Sequence, residues 1–118
     1  MIEVTVLNYL KEAFPNTPVV MEIQQGIGDE FILIEKTGSN KSAFRVNSDV
    51  LSRSTIAVQS WAGSLYRAMS LNDAVVEAML GITSIKEVSE VELNSDYNYT
   101  DTETKHYRYQ AVFDLVHY

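Results

Sequence analysis

Between Thr55 and Leu80 the chain reads TIAVQSWAGSLYRAMSLNDAVVEAML. Its first part is β-branched and alternating (Thr55, Ile56, Val58), and its second is a long amphipathic run without proline. The hydrophobic period changes from about two to about 3.6 within a few residues, the signature of a strand feeding directly into a helix. A strand over 54–60 and a helix over 62–80 are expected. That helix would be about 28 Å long, enough to cross a sheet. Leu65, Ala68, Met69, Val75, Val76, Met79 and Leu80 form its expected buried stripe. Asn72 falls on or near that stripe and is a candidate kink, and Gly81 is a natural stop.

The other elements arrange themselves around this pair. Residues 3–14 read as a first helix, with Val4, Leu7, Leu10, Lys11 and Phe14 at helical spacing and Pro15 as its terminator. Residues 19–24 and 30–36 read as strands joined by a hairpin turn containing Gly26 and Gly28. Residues 37–53 read as a long loop, functional or flexible, or else as room for a short extra strand. Residues 82–93 repeat Ile82, Ile85, Val88 and Val91 every three positions. Their β-branched content favours a strand, bulged if needed. Residues 94–105 form a polar turn. In 106–117, Tyr107, Tyr109, Ala111, Phe113 and Leu115 alternate with Arg108, Gln110, Val112, Asp114 and Val116, the clearest strand of all. The order α-β-β-β-α-β-β predicts one α+β domain over 1–118, with a mostly antiparallel sheet and two helices on one face.

Composition limits the function. The chain has 118 residues, 46% hydrophobic, which suits one domain with a real core and excludes a disordered tail. It has no cysteine, so disulfides, thiolate metal sites and cysteine nucleophiles are absent. The start of the chain is neither a signal peptide nor a membrane span, and no window is apolar enough to cross a bilayer, so a soluble protein is expected. A net charge of −7 argues against sequence-independent binding to DNA phosphates, though an acidic surface lets a duplex slide past.

Catalytic patterns are weak. His106 and His117 are an odd number of residues apart on one expected strand and should face opposite ways, which disfavours a shared metal. The acidic turn from Asp96 to Glu103 lacks the glycine and the terminal glutamate of a calcium loop, leaving an enzyme built on Asp96, Asp101 and Glu103 a distant reading. Gly26 and Gly28 lack the third glycine of a dinucleotide fingerprint. Ser60 and Ser64 lack the flanking glycines of a nucleophile elbow and read as helix caps. Trp61 reads as a core anchor between sheet and helix. No catalytic, cofactor-binding or metal-binding residue is expected. The candidates for subunit contact are Lys41, Phe44, Arg45, Val46 and Arg53 in the loop, and Tyr107 and Tyr109 on the long last strand.

Taken together, the first helix ending at Phe14-Pro15, the strands around Gly26 and Gly28, IAVQSWA running into a helix with Ala68, Ala74 and Ala78, and the closing HYRYQAVFDL strand resemble the tail completion or tail terminator family of long-tailed bacteriophages. The resemblance covers nearly the whole chain apart from 37–53. It implies a non-enzymatic structural protein of the virion tail or neck, assembled in the host bacterial cytoplasm. It also implies a self-made ring, commonly hexameric, bound to the tail tube protein and the head–tail connector protein. Such a ring would need no cofactor, no membrane and no specific nucleic-acid contact, and DNA would pass through it. A small monomeric α+β protein-binding module is the alternative.

Overall fold

The computed structural model describes the backbone of residues 1–46 and 49–118, and the side chains of 1–38 and 51–118. The first helix, α1, spans Ile2–Ala13. Ile2, Val6 and Leu10, four residues apart, are its buried side, whereas Val4 is exposed. A twelve-residue helix is marginal on its own, so tertiary packing sustains it. Each of those side chains contributes roughly 1.5–3 kcal/mol by burial. Past Phe14, whose amide still donates to the Leu10 carbonyl, Pro15 ends the helix.

Five strands form one sheet: β1 (Val19–Val20), β2 (Phe31–Val46), β3 (Asp49–Ala62), β4 (Val88–Asn98) and β5 (Tyr107–His117). Their spatial order is β1-β2-β3-β5-β4. The second helix, α2 (Leu65–Leu80), lies across β3, β4 and β5, while α1 lies over β1 and β2. Both helices cover the same face, so the expected α+β order and one-sided helical layer are found. The shared core joins Ile2, Val6 and Leu10 to Ile32, Ile34, Ile56, Val58, Val75, Met79, Phe113 and Leu115. Tyr9 ties the helices together, its hydroxyl donating to the Ala78 carbonyl at 2.6 Å.

Several local expectations need correction. Residues 19–24 and 30–36 do not form a hairpin. β1 has two residues and runs parallel to β2, because residues 21–30 carry the chain back along the sheet before β2 begins. Gly26 and Gly28 serve that return with φ of +81° and +91°, a region that L side chains rarely adopt. The 37–53 loop is instead the middle of a long hairpin. β2 pairs with β3 from Phe31↔Trp61 to Val46↔Asp49, interrupted by bulges after Lys36 and Asn40. Backbone pairing holds a polar stretch in strand form where no apolar alternation advertises it.

Helix α2 starts at Leu65, where Ser64 accepts a hydrogen bond from the Arg67 amide at 3.2 Å. Its buried residues are Ala68, Asn72, Val75 and Met79, while Leu65, Met69 and Leu80 of the expected stripe are exposed. The helix runs unbroken through Asn72. Ile82–Ser84 is a short 3-10 turn, so the strand expected from residue 82 starts only at Val88 and instead extends to Asn98, with bulges after Val88 and Leu93.

Candidate functional site

The sheet presents two unlike surfaces, and pairing parity decides which residues lie on each. Ile56, Val58 and Ser60 stand opposite Phe113, Ala111 and Tyr109 and face the helices. Their neighbours Thr55, Ala57, Gln59 and Trp61 therefore face away. Trp61 is thus not the anchor between sheet and helix expected from its place at a strand end. It belongs to the helix-free face, one residue out of phase with Ser60 and Ala62.

On that face an aromatic and cationic row crosses the sheet. Phe31 on β2 stacks on Trp61 of β3 with ring centroids 5.1 Å apart. The Arg108 guanidinium of β5 sits 4.9 Å from the Trp61 ring centre and 4.5 Å from that of Tyr99, just beyond β4. Arg108 Nε also donates to the Tyr99 carbonyl at 2.7 Å. A second, polar row runs alongside. Trp61 Nε1 donates to Gln59 Oε1 at 2.9 Å, Gln59 Nε2 donates to Gln110 Oε1 at 2.9 Å, and Gln110 Nε2 donates to the Tyr97 hydroxyl. Further along, Thr55 Oγ1 and Asn94 Nδ2 donate to the two oxygens of Asp114, at 2.8 and 2.9 Å. Four strands are therefore cross-linked by side chains on a face that no helix covers.

At the Trp61 end, residues from 23–31 and 105–107 flank a cleft of about 560 Å³. Phe31, Trp61 and Ile27 supply its apolar wall, and Asp29, Lys105 and His106 its polar rim. His106 packs against Trp61 with ring centroids 5.5 Å apart. Tyr107 lines the cleft, while Tyr109 lies half-buried on the helix side, opposite Ser60. β5 is paired on both edges, with β3 and with β4, so the intersubunit strand pairing that its length suggested is closed to it.

At the other end the β2–β3 hairpin outruns its neighbours. The last rung between β3 and β5 is Ser52↔His117, whereas β2 and β3 pair onward through Phe44↔Leu51, Arg45↔Val50 and Val46↔Asp49. The molecule is correspondingly long, 49 Å against 25 and 24 Å. Lys41, Phe44, Arg45 and Val46 lie on this arm by backbone position, and their side chains lie outside the described residues. Arg53 stands at its base, opposite Val116. The contact candidates thus divide between two ends of the sheet rather than forming one patch.

Two polar arrangements were not legible in the sequence. Ser54 Oγ lies 2.8 Å from His117 Nε2, the spacing of an activated nucleophile. Ser54 is 4% exposed, however, and His117 Nδ1 faces the Tyr118 carbonyl rather than a carboxylate. With Ser54 buried and His117 half-buried, the contact runs diagonally between β3 and β5 at the base of the arm. Asn72, 1% exposed, donates to Asp96 Oδ1 at 2.7 Å and pins α2 to β4, its own oxygen buried without a partner among the described residues. Asp101, in the acidic turn, accepts the Glu103 amide at 3.0 Å. The Thr104 hydroxyl foremost, then the Thr104 and Glu103 amides, hold its carboxyl below the ordinary 3.8. Its Oδ1 is committed to closing the turn.

No helix among the described residues is long and apolar enough to cross a membrane. No family model and no curated protein matches the sequence. A solved chain in the virion of a native gene transfer agent (GTA) particle shares the fold. It aligns with a TM-score of 0.69 at 15% identity, covering 95% of this chain and 90% of that one.

Proposed function

We propose that this protein is a non-enzymatic structural component of a phage or phage-like virion, forming a ring that completes the tail tube and joins it to the head connector. The observation that carries the reading is the fold shared with a gene transfer agent virion chain over nearly the full length of both. The site geometry agrees with it. The serine–histidine contact found among the described residues has its serine buried and no carboxylate behind the histidine, Asp101 of the acidic turn accepts hydrogen bonds from its own turn, and the prominent features are an arm, a side-chain-braced face and open sheet edges. These are means of contacting other proteins. In the virion, neighbouring copies, the tail tube protein and the connector would be the partners. A ring of −7 subunits would pass DNA without gripping it.

Light scattering on the protein alone, and then with tail tube protein, tests the reading. A multimer in either condition is expected, and a monomer in both overturns it. The cleft beside Trp61 favours a second reading, a monomeric protein-binding module. Removing Ser39–Asp49 separates the two. A module that binds through the cleft keeps its partner, whereas a ring that uses the arm loses its multimer. The thermal midpoint should change little, because all the removed residues except Ser39 and Asn40 lie beyond the last rung with β5.

A further inference from the structure

The two margins of the sheet are open and oppositely charged. β4 pairs only with β5, so its outer edge offers unpaired N–H and C=O groups to water. Its bulges leave two regular runs, Glu90–Leu93 and Ser95–Asn98. On the far side, β1 covers β2 only at Ile32 and Leu33, and no other described strand pairs with the outer edge of β2 from Ile34 to Val46. β4 carries Glu90, Glu92 and Asp96 and no cation. That part of β2 carries Lys41 and Arg45, and Lys36, which pairs with Glu3 of α1 at 3.7 Å, against a single carboxylate of its own, Glu35.

Like margins repel. Two β4 edges brought together would set Glu90, Glu92 and Asp96 against their copies, and two β2 edges would set lysines and arginine together. Unlike margins attract and can continue the backbone ladder. We propose that the outer edge of β4 in one copy pairs with the outer edge of the β2 arm in the next. The inference rests on the ring reading and gives it a joint. A head-to-tail contact of this kind uses two different surfaces of each copy, and such contacts generate closed rings when the rotation closes. The bulges confine pairing to short runs, and the acidic side chains exclude self-pairing, so the edge is selective rather than generally adhesive.

Carbodiimide cross-linking of an equimolar mixture of ¹⁴N- and ¹⁵N-labelled wild-type chains tests the joint directly, because this reagent links lysine to a carboxylate without a spacer. The mixture is treated with and without tail tube protein. Within one copy β2 and β4 are three strand spacings apart, about 14 Å. Mixed-isotope peptides joining Lys36 or Lys41 to Glu90, Glu92 or Asp96 are expected. In parallel, a Glu90→Lys, Glu92→Lys variant and a Lys41→Glu, Arg45→Glu variant should each associate about tenfold or more weakly, and the chain carrying all four changes should recover. Glu90 and Glu92 are exposed, so an unchanged thermal midpoint is expected for the first variant. A multimer that survives the Glu90→Lys, Glu92→Lys change, with cross-links elsewhere, overturns the joint and leaves the ring standing. A wild-type monomer without cross-links in both conditions overturns both.

Discussion

The two faces of the sheet are built from the same strands yet held by different physics. The helix-covered face is dry and aliphatic, with Ile32, Ile34, Ile56, Val58, Phe113 and Leu115 almost fully enclosed. Its stability comes from area removed from water. On the open face, side chains bridge strand to strand through stacking, a guanidinium between two rings and a chain of amide hydrogen bonds. Such bridges fix geometry more than they add stability, because each exchanges protein–water contacts for protein–protein contacts of similar strength. The covered face makes the domain fold, and the open face keeps an uncovered sheet defined enough to be met by another surface.

Removing a side chain from each face should expose the difference. Phe113→Ala should cost about 3–5 kcal/mol in denaturant unfolding, since it leaves a cavity at the centre of the covered face. Trp61→Ala should cost about 2 kcal/mol, from lost contact area and stacking with Phe31 and Arg108. Trp61→Phe should keep much of that. Equal losses for Phe113 and Trp61 would erase the distinction between the faces.

Asn72→Ala sharpens the comparison, because it puts the question of polarity to the dry face. A loss of about 1–2 kcal/mol is expected as Asp96 gives up its partner. No change would mean that the bond to Asp96 only offsets the burial of the unpaired Asn72 oxygen. The smallest effect belongs to Asp101, whose carboxyl titrates below 3.8 in the folded turn. With its folded pKa depressed, its contribution is present above the ordinary value and lost as pH falls through the folded one. An NMR titration should show the Glu103 and Thr104 amide shifts moving with that low midpoint, and a midpoint at or above 3.8 would remove Asp101 from the turn's support.

The sequence reached the covered face far better than the open one. The alternation of β5 and the strand-to-helix run at 55–80 carry strong period signals, because one side of each is buried. The arm carries none. Thr37-Gly38-Ser39-Asn40-Lys41-Ser42 has the composition of a loop, and only its backbone partner across the hairpin makes it a strand. Trp61 was misplaced for a different reason. Its aromatic bulk suggested core, yet its parity with Gln59 and Ala57, against the aliphatic Ile56 and Val58, already set it on the other side. The Ser54–His117 and Asn72–Asp96 bonds join residues far apart in sequence, and no local pattern announces them.

The position of β5 has a consequence for how the molecule is made. β5 emerges from the ribosome after the other four strands, yet it lies between β3 and β4. The β2–β3 hairpin can zip as soon as it is synthesised, whereas β4 must wait without its ladder partner until β5 arrives. During that interval β4 is an unmated strand, and Glu90, Glu92 and Asp96 are its charge guard against sticking to other nascent chains. Translation that pauses between β4 and β5 should therefore matter more to the yield of native protein than a pause anywhere earlier.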